Sequence, residues 1–124
     1  MKKYPVRCPV TAYLYVMDGH WKPILIWRLR DEPLRFKSLL EAIPDISTKV
    51  LTEQLKELEA DGIIIRKAYS ELPPRVEYSL THYGKTLLPA LVVLREWGLQ
   101  HLKQNTGLLH PGSKWPKKLK KTYS

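Results

Sequence analysis

The chain has 124 residues, 44% apolar and 27% charged, so it holds one domain around one modest core and is not disordered throughout. No apolar run approaches the roughly 18 residues that cross a bilayer, and Met1-Lys-Lys-Tyr-Pro-Val lacks the apolar centre of a signal peptide; a cytoplasmic protein with no membrane partner is expected. The net charge of +9 is uneven: residues 1–102 carry 15 Lys and Arg against 12 Asp and Glu, whereas 103–124 carry six Lys and no acid. A basic arm of this kind favours a polyanionic partner or serves only to solubilise. Cys8 is the only cysteine, which excludes an intrachain disulfide and a CxxC metal site.

Residues 1–7 read as a loose arm. From Cys8-Pro9, the helical spacing of Val10, Leu14 and Met17 predicts a short first helix that Asp18-Gly19 ends. A second helix is expected from about His20 to Arg30, burying Trp21, Ile24, Leu25, Leu29 and either Trp27 or the stem of Arg28; Pro23 is tolerated because it falls in the first turn. Asp31-Glu-Pro33 breaks the chain, Leu34-Arg35 is one extended step, and Phe36 to Ile43 forms a helix with Phe36, Leu39, Leu40 and Ile43 inward.

Pro44-Asp45-Ile46 is a tight connection into the next helix, which Ser47 caps and Gly62 closes in the left-handed conformation. At about 100° per residue, Ser47, Val50, Leu51, Gln54, Leu55, Leu58 and Asp61 share one side. Lys49, Thr52, Glu53, Lys56 and Ala60 take the other. Two helices joined by about three residues, the second with a polar outer face, make a helix-turn-helix. Past Gly62 the period becomes two: Ile63–Tyr69 and Arg75–Leu80 are predicted strands, with Ser70–Pro74 as the hairpin tip. A helix-turn-helix followed by a hairpin is a winged helix, so the fold class is α+β. Thr81 opens a last helix that is expected to run to about Lys103 despite Gly84, Pro89 and Gly98. Its Leu87, Leu88, Leu91, Val92, Leu94, Leu99 and Leu102 exceed what the small domain covers, and an isologous homodimer is the simplest solution. Residues 103–124 are expected to be a mobile basic tail, leaving 8–102 as the folded domain.

Several marks along the chain occur together: Cys8-Pro9-Val10, Gly19-His20-Trp21-Lys22, Leu34-Arg35-Phe36, Ile46-Ser47, Leu51-Thr52-Glu53-Gln54-Leu55, Leu58-Glu59-Ala60-Asp61-Gly62, Pro73 through Thr81, and Glu96-Trp97-Gly98. With them the chain resembles the HxlR-type winged helix-turn-helix regulators of bacteria and archaea, from Cys8 to about Leu102. The resemblance implies a homodimeric transcriptional regulator that binds a short inverted repeat in double-stranded DNA, often repressing a neighbouring operon. Some members use a cysteine at the place of Cys8 to sense oxidants or electrophiles. Where they bridge it to a second cysteine near the C-terminal helix, this chain departs. A Cys8 to Cys8′ bridge, a mixed disulfide, alkylation, or no sensing remain.

The polar face of the capped helix is then either a solvated face or the surface that meets DNA. In the second reading Thr48 and Thr52 bond phosphate or approach a thymine methyl, Lys49 and Lys56 reach guanine or phosphate, and Ser47 with the helix N-terminus suits a phosphate. Glu53 accepts from a cytosine amine or faces away. Arg35 and Lys37 stand where backbone phosphates run, or are a solvated helix start. Arg75 is a wing contact, or pairs with Glu71 or Glu77. Of Arg66 and Lys67, at most one faces DNA. Cys8 is an inert small hydrophobe or a thiol activated by a helix N-terminus and Arg7. Trp21, Trp27 and Trp97 line a small-molecule pocket or fill core and interface.

An enzyme is not expected, nor a metal or cofactor. His20, His82, His101 and His110 fall at no ligand spacing, and there is no Gly-rich phosphate loop or nucleophile beside a base. The rival reading is a winged helix that binds only protein, or a regulator answering a small-molecule ligand rather than a thiol reaction.

Overall fold

A computed structural model describes residues 8–105. The expected N-terminal arm and all of the expected tail beyond residue 105 lie outside the described residues. The elements run α1 Pro9–Val16, α2 Trp21–Arg28, β1 Leu34–Arg35, α3 Phe36–Ala42, α4 Thr48–Ala60, β2 Ile64–Tyr69, β3 Arg75–Leu80, α5 His82–Lys85 and α6 Leu88–Gln104. They divide into two compact units, one ending at Thr86 and one beginning at Leu87.

In the first unit a three-stranded antiparallel sheet has the order β1-β3-β2. α2 packs on α3 and α4, and α4 packs on β2. Leu25, Ile26 and Leu29 from α2 and its end, Leu39 and Ile43 from α3 and its end, Leu51, Leu55 and Leu58 from α4, and Ile63 and Ile64 form the core. Each such side chain contributes about 1.5–3 kcal/mol by leaving water. Between α3 and α4, Asp45 takes a positive φ of 69°. Aspartate tolerates this left-handed turn, which reverses the chain in few residues.

The short step Leu34-Arg35 and the strand Arg75–Leu80 form as expected, and β2 begins one residue late, at Ile64. The second helix is shorter than expected. Its inward face also differs: Ile26 and Lys22 are buried, whereas Trp21, Ile24 and Trp27 are only partly covered. Phe36 and Leu40 are likewise partly covered rather than enclosed.

The single long helix expected from Thr81 to Lys103 is two helices. Pro89 is the reason. In a continuous helix its missing N–H would forfeit the bond to the Lys85 carbonyl and its ring would press on that oxygen. In the structure Pro89 falls in the first turn of α6, where neither cost arises.

Before that break the chain is clasped to the end of α4. The Thr81 hydroxyl donates to Gly62 O at 2.6 Å and accepts from Gly84 N at 2.9 Å, while Thr81 N donates to Ile63 O at 3.0 Å. Gly84 sits so close that a Cβ there would overlap the Ile63 carbonyl.

In the second unit the described residues form α6. Leu91 is its only buried residue among those described, and Val92, Val93, Leu94 and Trp97 are exposed.

Candidate nucleic-acid interface

α4 is built to keep one face dry and one wet. Ser47 stands at its N-cap with extended backbone, and its Oγ accepts from Val50 N at 3.1 Å. The cap uses the hydroxyl's lone pair and leaves its proton to donate outward. At the other end Gly62 takes φ +73° just past Asp61. With Leu51, Leu55 and Leu58 enclosed, the opposite side presents Thr48, Lys49, Glu53 and Lys56 exposed and Thr52 half-exposed.

From Thr48 to Lys56 this face is about 12 Å long, close to the width of the DNA major groove. The Thr52 hydroxyl donates to Thr48 O at 2.8 Å. Its proton is therefore committed to the helix, and Thr52 offers outward a methyl group and an acceptor.

The sheet register collects the other expected basic residues. Arg35 on β1 lies opposite Glu77 on β3, and Lys67 on β2 lies opposite the same Glu77. Tyr69 opposite Arg75 belongs to the same face, because side chains two apart point the same way. Arg35, Lys67 and Arg75 thus share a face around one acid, and Arg66 alternates to the other. Sequence alone leaves open which of Arg66 and Lys67 takes this face; counting by two from Tyr69 gives Lys67 once the pairing is known.

Arg75 is held by its own hairpin: Nη2 lies 3.2 Å from Glu71 Oε1, Nε 3.9 Å from Glu77 Oε2, and the guanidinium 4.0 Å above the Tyr69 ring. Of its two expected roles, the pairing with Glu71 and Glu77 is the one formed here. Arg35 and Lys37 are exposed at the start of α3.

Cys8 is exposed at the N-cap of α1. The backbone amides of Thr11 first, then Val10, at the start of α1, lower its thiol pKa below the ordinary value; some desolvation opposes this, and the Thr11 side chain adds to the lowering. The three tryptophans among the described residues have separate companions: Trp21 lies against His20, Arg30 sits 4.3 Å over Trp27, and Trp97 stacks on His101 at 5.1 Å. Among the described residues no group of three His, Cys, Asp or Glu is placed to hold a metal, and no helix is long and apolar enough to cross a membrane.

A family model described as HxlR-like helix-turn-helix matches residues 16–106. The chain belongs to this family. It is 47% identical over 97 residues to the HTH-type transcriptional regulator YybR of Bacillus subtilis, covering 77% of this chain and 78% of that protein. Among solved structures it is similar to the reduced form of the redox regulator HypR, with a TM-score of 0.74 and 41% identity over 83% of this chain and all of that one. It is also similar to the reduced transcriptional regulator YodB from B. subtilis, with a TM-score of 0.67 and 36% identity over 77% and 94% of the two chains. This HxlR-like chain is a transcriptional regulator of the winged-helix type.

Proposed function

We propose that this HxlR-like protein is a homodimeric repressor that binds an inverted-repeat operator through α4 and is released when Cys8 reacts with an oxidant or electrophile. One observation carries the DNA reading: α4 has a polar, lysine-bearing face about as long as the major groove is wide, directly before a hairpin. Lys49 and Lys56 reach guanine or phosphate, Thr48 donates to phosphate, Thr52 meets a thymine methyl, and Ser47 gives its free proton to a phosphate at the helix start. Arg35 and Lys37 hold the neighbouring backbone. Arg75 joins them by exchanging Glu71 for a phosphate, which the hairpin permits because the guanidinium is already stacked and oriented.

The dimer reading is supported by apolar surface that a lone chain leaves in water. Val92, Val93, Leu94 and Trp97 on α6 are exposed, as are Val10 and Leu14 on α1. A two-fold dimer would present α4 twice, to half-sites about one helical turn apart.

For the signal, the named redox role of the HypR neighbour and the exposed, helix-capping position of Cys8 point the same way. The chain has no second cysteine, so the reaction is alkylation, a mixed disulfide, or a Cys8 to Cys8′ bridge.

Gel-shift assays with promoter fragments at increasing salt test the first claim. Specific retention that weakens steeply as salt rises is expected; failure to retain any fragment at low salt would leave the winged helix as a protein-binding module. Cys8→Ser should retain operator binding but lose its response to diamide. An undiminished response removes Cys8 from the mechanism.

A further inference from the structure

Lys22 is the one charged residue among those described that the core encloses, at 1% exposure. It lies in the first turn of α2, and its Nζ is 3.0 Å from Glu57 Oε2 on α4. Gln54 Nε2 donates toward the same carboxylate oxygen at 3.4 Å, and Gln54 Oε1 is buried without a hydrogen-bond partner.

A lysine is an expensive choice for that position. Its ammonium leaves water, and it stands at the positive end of the α2 dipole. An apolar side chain of similar length would fill the space without either cost. With the ammonium enclosed and Glu57 half-exposed, the pair adds little to stability over such a replacement, yet it is directional where apolar contact is not. What the pair supplies is therefore an orientation.

Its place on α4 says which one. At 100° per residue Glu57 falls on the flank of the helix, between the enclosed row of Leu51, Leu55 and Leu58 and the exposed row that ends in Glu53. A tether on one flank governs rotation about the helix axis. With a radius of about 6 Å to the side-chain ends, a roll of about 20° displaces them by about 2 Å. A recognition geometry tolerates only about 0.5 Å.

We infer that Lys22, through Glu57, is a positioning residue that sets the roll of α4 and so its discrimination between operator and other DNA. The inference rests on the reading of α4 as the helix that meets DNA.

The test compares Lys22→Met, Glu57→Ala and the double variant in the full-length protein, reading thermal midpoint and the ratio of operator to random-DNA affinity at one salt concentration. Lys22→Met keeps the volume and removes the charge. Its midpoint should equal or exceed the parent's, while the ratio falls about tenfold with random-DNA affinity unchanged. Glu57→Ala strands the ammonium, so its midpoint should drop and the ratio fall equally. In the double variant the midpoint should recover while the ratio falls no further.

A ratio that follows the midpoint across the three variants would reduce Lys22 to a packing role and overturn the inference. So would a Lys22→Met protein that discriminates like the parent. Should Lys22→Met not fold, the half-exposed Glu57→Ala decides by the same ratio at a temperature where it is folded. A parent that does not distinguish operator from random DNA overturns both readings; a discriminating parent beside an equally discriminating variant overturns this one alone.

Discussion

α4 and α6 are the two longest helices described, and they treat their apolar residues in opposite ways. In α4 the leucines are inside and, apart from the small Ala60, the outward side chains are polar or charged, so this helix is complete within its own unit. In α6 one leucine is buried and four large apolar residues face outward. The first helix has already satisfied the hydrophobic effect and its free face is available for a ligand held by hydrogen bonds and charge. The second still has apolar area to bury. The proposed function gives each helix its own kind of partner: a polar, charged one for α4 and an apolar one for α6.

The contrast is sharpest in variants. Leu55→Ala removes a fully packed side chain from α4 and should lower stability by about 2–5 kcal/mol in urea titrations. A loss under 1 kcal/mol would mean that the inner face of α4 is not the core. Lys49→Ala and Lys56→Ala should each weaken operator binding by about 1–3 kcal/mol while leaving the unfolding midpoint unchanged. If both bind as the parent does, the outer face has been wrongly assigned.

Ser47→Ala removes the cap and should cost about 1 kcal/mol of stability. Trp97→Ala on α6 should change stability of the monomer by no more than about 0.5 kcal/mol, since that ring is exposed, but should shift sedimentation toward monomer. A protein that sediments as a monomer before the change removes the dimer reading.

The smallest effect concerns pH. The thiol of Cys8 has a lowered pKa in the folded chain, so its thiolate favours the folded start of α1. That contribution is present above the unfolded thiol value and is lost as pH falls through the folded one. The rate of alkylation by iodoacetamide should therefore rise at lower pH in the folded protein than in the denatured chain. Coincident profiles would show that the Thr11 and Val10 amides do nothing for the thiol.

Much of this was legible beforehand because it rests on local rules. Ser47 and Gly62 bound α4, and the change of period after Gly62 announces the hairpin whose register later places Arg35, Lys67 and Arg75 together. What escaped depends on contacts between distant segments. Lys22 occupies a position where a lysine ordinarily lies in water; only the carboxylate of Glu57, brought alongside by the packing of α2 on α4, makes its burial possible. The leucine spacing runs through Pro89 without a break, and only its missing N–H marks the helix start there. The choice at Arg75 between wing contact and internal pairing needed the positions of Glu71, Glu77 and Tyr69.

The clasp at Thr81 has a consequence for change over time. Its bonds to Gly62 and Ile63 close the hairpin at the base, so the seventeen or so residues between form a ring whose far side is the exposed tip Ser70 to Pro74. Lengthening that far side, at Ser70 to Pro74, adds only about 0.6 kcal/mol of closure entropy for each doubling of the loop and does not reach α4. The tip can therefore diverge in length among descendants of this chain while the helix beside it stays in register. A new operator could be acquired at one end of the hairpin without unsettling the other.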